Sequence, residues 1–142
     1  MSTVNSRFAQ CLYFTSNALA RKTEKLAQDS WSRVGISPSH GYLLLLTLEE
    51  PGIQAGALAR QLQLQPSTIT RLLEKLESMK LLQRITEGKT TAVFPTNKAK
   101  TLLPKIQESV AEFSARCMEL LGKEENTKLV VGMAKIADKL TP

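Results

Sequence analysis

The stretch LARQLQLQPSTITRLLEKLESMKLLQR, Leu58 to Arg84, constrains the fold of this chain more than any other. It opens with a short helix-patterned segment, breaks at Gln63 to Gln65, and restarts at Pro66, the first helical position that proline favours. In the second helix Ile69, Leu72, Leu73 and Leu76 recur in steps of three and four, so they form one inward face. Ser67, Thr68, Thr70, Arg71, Glu74 and Lys75 are left on the outside. A helix with a small, polar N-terminal end suits a DNA major groove. Its free backbone N–H groups and positive dipole end meet a phosphate, while Ser67, Thr68, Thr70 and Arg71 reach base edges or phosphate oxygens. Arg71 is the best candidate for bidentate guanine readout, and Lys75 continues the basic surface. An ordinary amphipathic helical hairpin, whose serines and threonines only cap and solvate, satisfies the same pattern.

Phe8, Leu12, Leu19 and Leu26 lie at helical spacing and predict a long helix over residues 6–34, stopped by Gly35. Ser37 and Pro38 then read as an N-cap and first helical position for the apolar segment HGYLLLLTLEE, which Pro51 and Gly52 end. Beyond the second helix of the central stretch the pattern becomes extended. LLQRIT and TTAVF flank Glu87, Gly88 and Lys89 and predict a small hairpin, in which Gly88 takes the positive φ of a tight turn. Leu103, Ile106, Val110, Phe113, Cys117 and Leu120 form a coiled-coil-like seam on a long helix from Thr96 to Leu121, and Pro104 should kink that helix or move its start. Leu129, Met133, Ile136 and Leu140 mark a last helix after Gly122. The expected fold is mainly α with a small β-hairpin, in a single domain over residues 1–142.

At 142 residues the chain is long enough to bury roughly two-thirds of its unfolded surface without a metal or disulfide. The formal charge is +6, which suits a polyanionic partner or simply solubility. Six basic residues stand against three acidic ones between Arg60 and Lys89. Small basic surpluses elsewhere leave a generally basic surface as the alternative to a dedicated DNA face. Cys11 and Cys117 have neither zinc-site spacing nor the density of a secreted disulfide scaffold, which favours a reducing cytoplasm. The N-terminus is polar and the run Tyr42 to Leu48 is far short of the roughly 20 residues of a membrane span. One histidine, His40, excludes a histidine-rich metal site and reads as an early residue of its helix. Trp31, Tyr13 and Tyr42 read as core aromatics, with an effector pocket as the alternative. No glycine-rich phosphate loop, nucleophile elbow or acid–base carboxylate pair is present, so neither an enzyme nor a cofactor is expected.

From about Arg7 to Leu140 the chain resembles the MarR (multiple antibiotic resistance regulator) family of winged helix-turn-helix transcriptional regulators. The likeness rests on the element order, on ALARQLQLQPSTITRLLEKLESMKLLQR, and on PTNKAK at 95–100, which stands where the family starts its fifth helix. The resemblance implies a winged DNA-binding lobe over about 37–95, with Pro66 to Lys80 as recognition helix and Ile85 to Val93 as wing. It also implies dimerisation helices over about 6–34 and 96–140, a homodimer on a pseudo-palindromic operator in double-stranded DNA, and a small aromatic effector. The apolar first and last helices, too extended for one chain to bury alone, point to the same dimer. One departure is plain: the family's Asp-x-Arg wing pattern, whose arginine enters the minor groove, is replaced by the shortened TEGKTT. Lys89 is the nearest substitute, and Arg84 is expected to do more of the phosphate work. Some members sense oxidants through a cysteine near the start of the first helix. Cys11 is therefore a redox candidate, with an inert packed thiol as the alternative. A winged-helix protein-interaction module that no longer reads DNA is the remaining alternative.

Overall fold

Ser37 accepts the His40 backbone N–H and Pro38 opens the helix that follows, so the most apolar segment enters the fold as α2, Pro38–Glu49. In a computed structural model that describes residues 2–141, α2 is preceded by α1 (Leu12–Trp31) and followed by β1 (Ile53–Gln54), α3 (Ala55–Leu62) and α4 (Pro66–Ser78). A hairpin of β2 (Leu82–Glu87) and β3 (Thr90–Pro95) comes next, then α5 (Asn97–Leu121) and α6 (Lys123–Leu140). Leu43 and Leu44 of α2 pack with Leu58, Ile69, Leu76, Leu82, Val93 and Ile106 in one core that joins the central lobe to the long helices. Trp31, the last residue of α1, is fully buried beside it, with its ring centroid 5.2 Å from that of Tyr42. The indole lies so close to α2 that a Cβ on Gly41 would overlap it, which explains a glycine in the middle of this helix.

The sheet has three antiparallel strands in the order β1-β3-β2. Its main ladder pairs Leu82 with Pro95, Arg84 with Val93 and Glu87 with Thr90. The two-residue connection Gly88–Lys89 has a positive φ at Gly88, 60°, and none at Lys89, the arrangement of a type II′ turn. β1 was not expected. Its two residues, Ile53 and Gln54, pair with Val93 and Ala92, and a strand that short has no alternation to detect.

One helix boundary differs from expectation, and the start expected at Thr96 holds in spite of Pro104. α1 begins at Leu12, not near residue 6. Ahead of it the N–H groups of Ser6, Ala9 and Cys11 bond to Thr3, Ser6 and Phe8 carbonyls, a run of tight turns, and Ser6 Oγ takes the Phe8 N–H that a helix would have used. α5 begins at Asn97 and runs through Pro104 with its start unmoved, because Thr96 caps it by accepting the Ala99 N–H. Pro104 and Lys100, whose carbonyl loses its helical donor, are both exposed, so water can satisfy that carbonyl.

Burial fades along α5. Ala99 and Ile106 are buried, whereas Met118, Leu120 and Leu121 are exposed, and α6 buries no residue. Val130, Val131, Met133, Ile136 and Leu140 of α6 continue this apolar band, and Leu12 and Leu19 of α1 join it. Among the described residues no helix is long and apolar enough to cross a membrane, and no group of three or more His, Cys, Asp or Glu could hold a metal ion.

Candidate nucleic-acid interface

α3 and α4 meet across a turn built on Gln63, whose φ of 55° places it in the left-handed region. The Leu64 N–H reaches back to the Ala59 carbonyl at 3.1 Å and the Gln63 N–H to that of Arg60 at 3.4 Å, the paired bonds that close a helix at a left-handed residue. The Gln63 side chain adds a third bond, donating to the Arg60 carbonyl at 2.8 Å. α4 then starts at Pro66 with no side chain capping it, so its N-terminal end is open to an anion.

The inward face of α4 is as expected: Ile69, Leu72, Leu73 and Leu76 are all buried. Ser67, Thr70, Arg71 and Lys75 are exposed and Thr68 is half-buried, so the proposed reading residues share one outward surface. Two of them are ordered locally. Thr70 donates its hydroxyl hydrogen to the Pro66 carbonyl at 3.0 Å, leaving oxygen lone pairs to face outward, and Arg71 Nη2 approaches Thr68 Oγ1 at 3.5 Å.

The far end of α4 closes on Lys80, again left-handed with φ 61°. Lys80 and Leu81 N–H groups bond to the Glu77 and Leu76 carbonyls at 2.9 and 3.0 Å, and buried Leu81 packs with buried Leu76 in the core cluster. The start of α5 holds this turn from outside. Thr96 Oγ1 donates to the Lys80 carbonyl at 2.7 Å and Lys98 Nζ to that of Met79 at 2.9 Å, a cation placed at the negative end of α4.

Arg84 is not a free cation. Its Nη2 donates to Glu77 Oε1 at 2.8 Å, while Nε and the backbone N–H reach Glu77 Oε2 at 3.4 and 3.3 Å. The hydrogen bonds from Arg84 hold the Glu77 carboxyl below the usual range, and the carboxylate in turn raises the guanidinium. Lys89 stands exposed at the hairpin tip, next but one to Glu87. The structure thus brings the α4 residues together, leaves Lys89 at the wing tip, and ties Arg84 to the last turn of α4. His40 packs its Nδ1 2.6 Å from Ser37 Oγ. Partial burial lowers its pKa, helped by the charge of Lys75, so it is a helix-start residue within electrostatic range of α4.

Between the long helices and this lobe lies a cleft of about 290 Å³, lined by Thr23 and Ala27 of α1, Pro38 and Tyr42 of α2, Leu62 and Leu64 beside the α3–α4 turn, and Phe113 of α5. Burial pushes the Tyr42 phenol above its usual range. Sequence periodicity could not assemble this cleft, because its lining is gathered from α1, α2, the α3–α4 turn and α5. Of the three aromatics weighed as pocket residues, Trp31, Tyr13 and Tyr42, only Tyr42 lines it. Tyr13 is exposed, outside any core, and Cys11 is exposed at the residue preceding α1. Cys117 is partly exposed in an apolar groove between α1 and α5 with Leu19, Leu26, Leu120 and Leu121.

Comparison with known proteins agrees with this geometry. Residues 34–90 match the model of the MarR family. No curated protein sequence matches the chain. Among solved structures, the transcriptional repressor CouR bound to p-coumaroyl-CoA superposes with a TM-score of 0.82 at 22% identity, over 94% of this chain and 96% of that one. The PcaV transcriptional regulator from Streptomyces coelicolor, in complex with its natural ligand, gives 0.81 at 18% identity over 97% and 98%. A DNA complex of MepR from S. aureus gives 0.78 at 19% identity over 92% and 98%. These likenesses establish the winged-helix fold along nearly the whole chain.

Proposed function

With residues 34–90 a MarR-family segment inside a chain of that fold, we propose that the protein is a sequence-specific DNA-binding transcriptional regulator. It acts as a homodimer on a pseudo-palindromic operator and works as a ligand-responsive repressor in the cytoplasm. One observation carries the reading: the outward face of α4, where Ser67, Thr68, Thr70, Arg71 and Lys75 cluster beside an uncapped helix start, over a fully buried inward face. Such a helix offers base-reading side chains and phosphate-binding backbone N–H groups on one side.

The dimer is supported by the apolar band of α1, α5 and α6. Among the described residues fourteen large hydrophobics are exposed in the single chain, and all but Ile85 lie in the N-terminal segment, α1, the end of α5 or α6. Reading a two-fold operator would require a second copy covering that band to hold the two α4 helices about one DNA turn apart, roughly 34 Å. The effector reading rests on the cleft beside Tyr42 and Phe113. Two of its walls, Leu62 and Leu64, flank the Gln63 turn, so a small aromatic molecule there would press on the joint that aims α4. Tenfold release of DNA needs only about 1.4 kcal/mol of preference for the DNA-incompetent arrangement.

Fluorescence anisotropy tests the proposal with a duplex from upstream of the protein's own gene and a scrambled duplex, each at two salt concentrations. A preference of about a thousandfold or more is expected. Arg71→Ala should weaken the specific duplex by about 1–3 kcal/mol and relax the preference at one base pair. If Arg71→Ala changes neither affinity nor preference, the recognition-helix assignment fails. Absence of binding to either duplex would favour a protein-interaction module on the same fold.

A further inference from the structure

We infer that the wing is a sequence-neutral phosphate contact and does not read the minor groove, so that operator information is confined to the two major-groove half-sites facing α4. The inference rests on the DNA-binding reading above and specifies how that site discriminates.

The hairpin projects little beyond the core. Leu82 and Val93 are buried, and only three paired rows follow the Arg84–Val93 row before the Gly88–Lys89 turn: Ile85 with Ala92, Thr86 with Thr91, Glu87 with Thr90. At about 3.4 Å per row the wing reaches roughly 10 Å past the body. Two strands about 4.8 Å apart, with side chains on both faces, form a ribbon too thick for an undeformed minor groove about 6 Å wide, and a wing this short has little surface to offset the cost of widening it. Reading that groove therefore needs a long cationic side chain aimed in from the tip, and arginine is the side chain whose weakly hydrated fork suits it.

This wing has no such arginine to give. Arg84 stands on the core-facing side of the ladder, opposite Val93, and its guanidinium is engaged by Glu77 through Nη2 and Nε. The tip itself carries Gly88, with no side chain, and Lys89, with Glu87 two residues before it in the last paired row. The threonines are too short to reach a groove floor, and all three bond within the hairpin: Thr86 Oγ1 to Thr91 Oγ1 at 3.2 Å, and Thr90 Oγ1 to the Glu87 carbonyl at 3.0 Å. What remains is a compact ammonium on a flexible stem, able to neutralise a phosphate on either side of a groove without regard to sequence.

The experiment is selection of duplexes from a random library by the full-length protein, followed by affinity measurements on the selected sequence. Two half-sites about 10–10.5 base pairs apart, centre to centre, are expected, with no A·T enrichment in the outer flanks. Replacing flanking adenines by 2,6-diaminopurine puts an amino group in the minor groove and leaves the donor and acceptor pattern of the major-groove edge intact. This should change affinity by less than about twofold. Lys89→Ala should weaken the selected and a scrambled duplex by the same factor and reduce the salt slope by about one. A tenfold loss with diaminopurine flanks, or flanking A·T enrichment that Lys89→Ala erases, would overturn the inference while leaving the regulator reading intact. Failure to select any common sequence would overturn the regulator reading itself.

Discussion

Arg71 and Arg84 carry the same charge and lie within one helix and strand of each other, yet the structure gives them different work. Arg71 is exposed with a half-buried threonine as its near neighbour, while Arg84 is spent on Glu77. From sequence alone both were DNA candidates, Arg71 for guanine readout and Arg84 for phosphate work, and nothing marked Arg84 as engaged, because an ion pair between residues seven apart, across a helix end and a strand start, leaves no periodic signature. The pair has a pH consequence. Glu77 titrates lower in the folded chain than in the unfolded one, so its contribution is present above the unfolded value and disappears as pH falls through the folded one. Wild type should exceed Glu77→Gln in stability at neutral pH by at most about 1 kcal/mol, since solvent screens a pair this exposed. Thermal melts of the two should converge as the pH falls below the ordinary carboxylate range. A difference that persisted into strong acid would show that Glu77 acts through packing instead. Gly41 belongs to this scale as well: nothing in HGYLLLLTLEE announced that the Trp31 ring would lie against it.

The helices as elements were legible from helical periodicity or, for α2, from a continuous apolar run behind a Ser-Pro start; their ends were less so. Ser37–Pro38 and Gly122 use residues that statistics favour for starts and stops, and both fell where expected. The two turns that bound α3 and α4 instead close on Gln63 and Lys80, side-chain-bearing residues held in a region that glycine occupies more easily. No glycine marked them. Lys80→Gly should therefore stabilise the fold by about 1 kcal/mol, the left-handed cost relieved less the added freedom of the unfolded chain, measured as a shift of the urea midpoint at unchanged slope. A destabilisation would mean that the Lys80 side chain contributes more than its backbone costs. The wing was legible as a hairpin, but its third strand was not, since β1 exists only through its pairing with β3.

For the whole molecule, the largest unexplained expense is the apolar surface left open in a single copy. α6 has no buried residue along 18 positions, so its amphipathic pattern finds no use within one chain. Sedimentation equilibrium should accordingly report a dimer at micromolar concentration, and Ile136→Glu together with Leu140→Glu should shift it to monomer. A wild-type monomer under those conditions would remove the basis for the paired half-sites. The path from that band to the DNA face runs along α5, whose first turn is bonded to the end of α4 through Thr96 and Lys98 and whose last turns lie in the band. A helix of 25 residues is about 37 Å long, so a tilt of about 5° at one end would displace the other by roughly 3 Å, of the order of a base-pair rise. Pro104 removes one backbone hydrogen bond close to the end of that beam anchored on α4, which weakens the helix at that point.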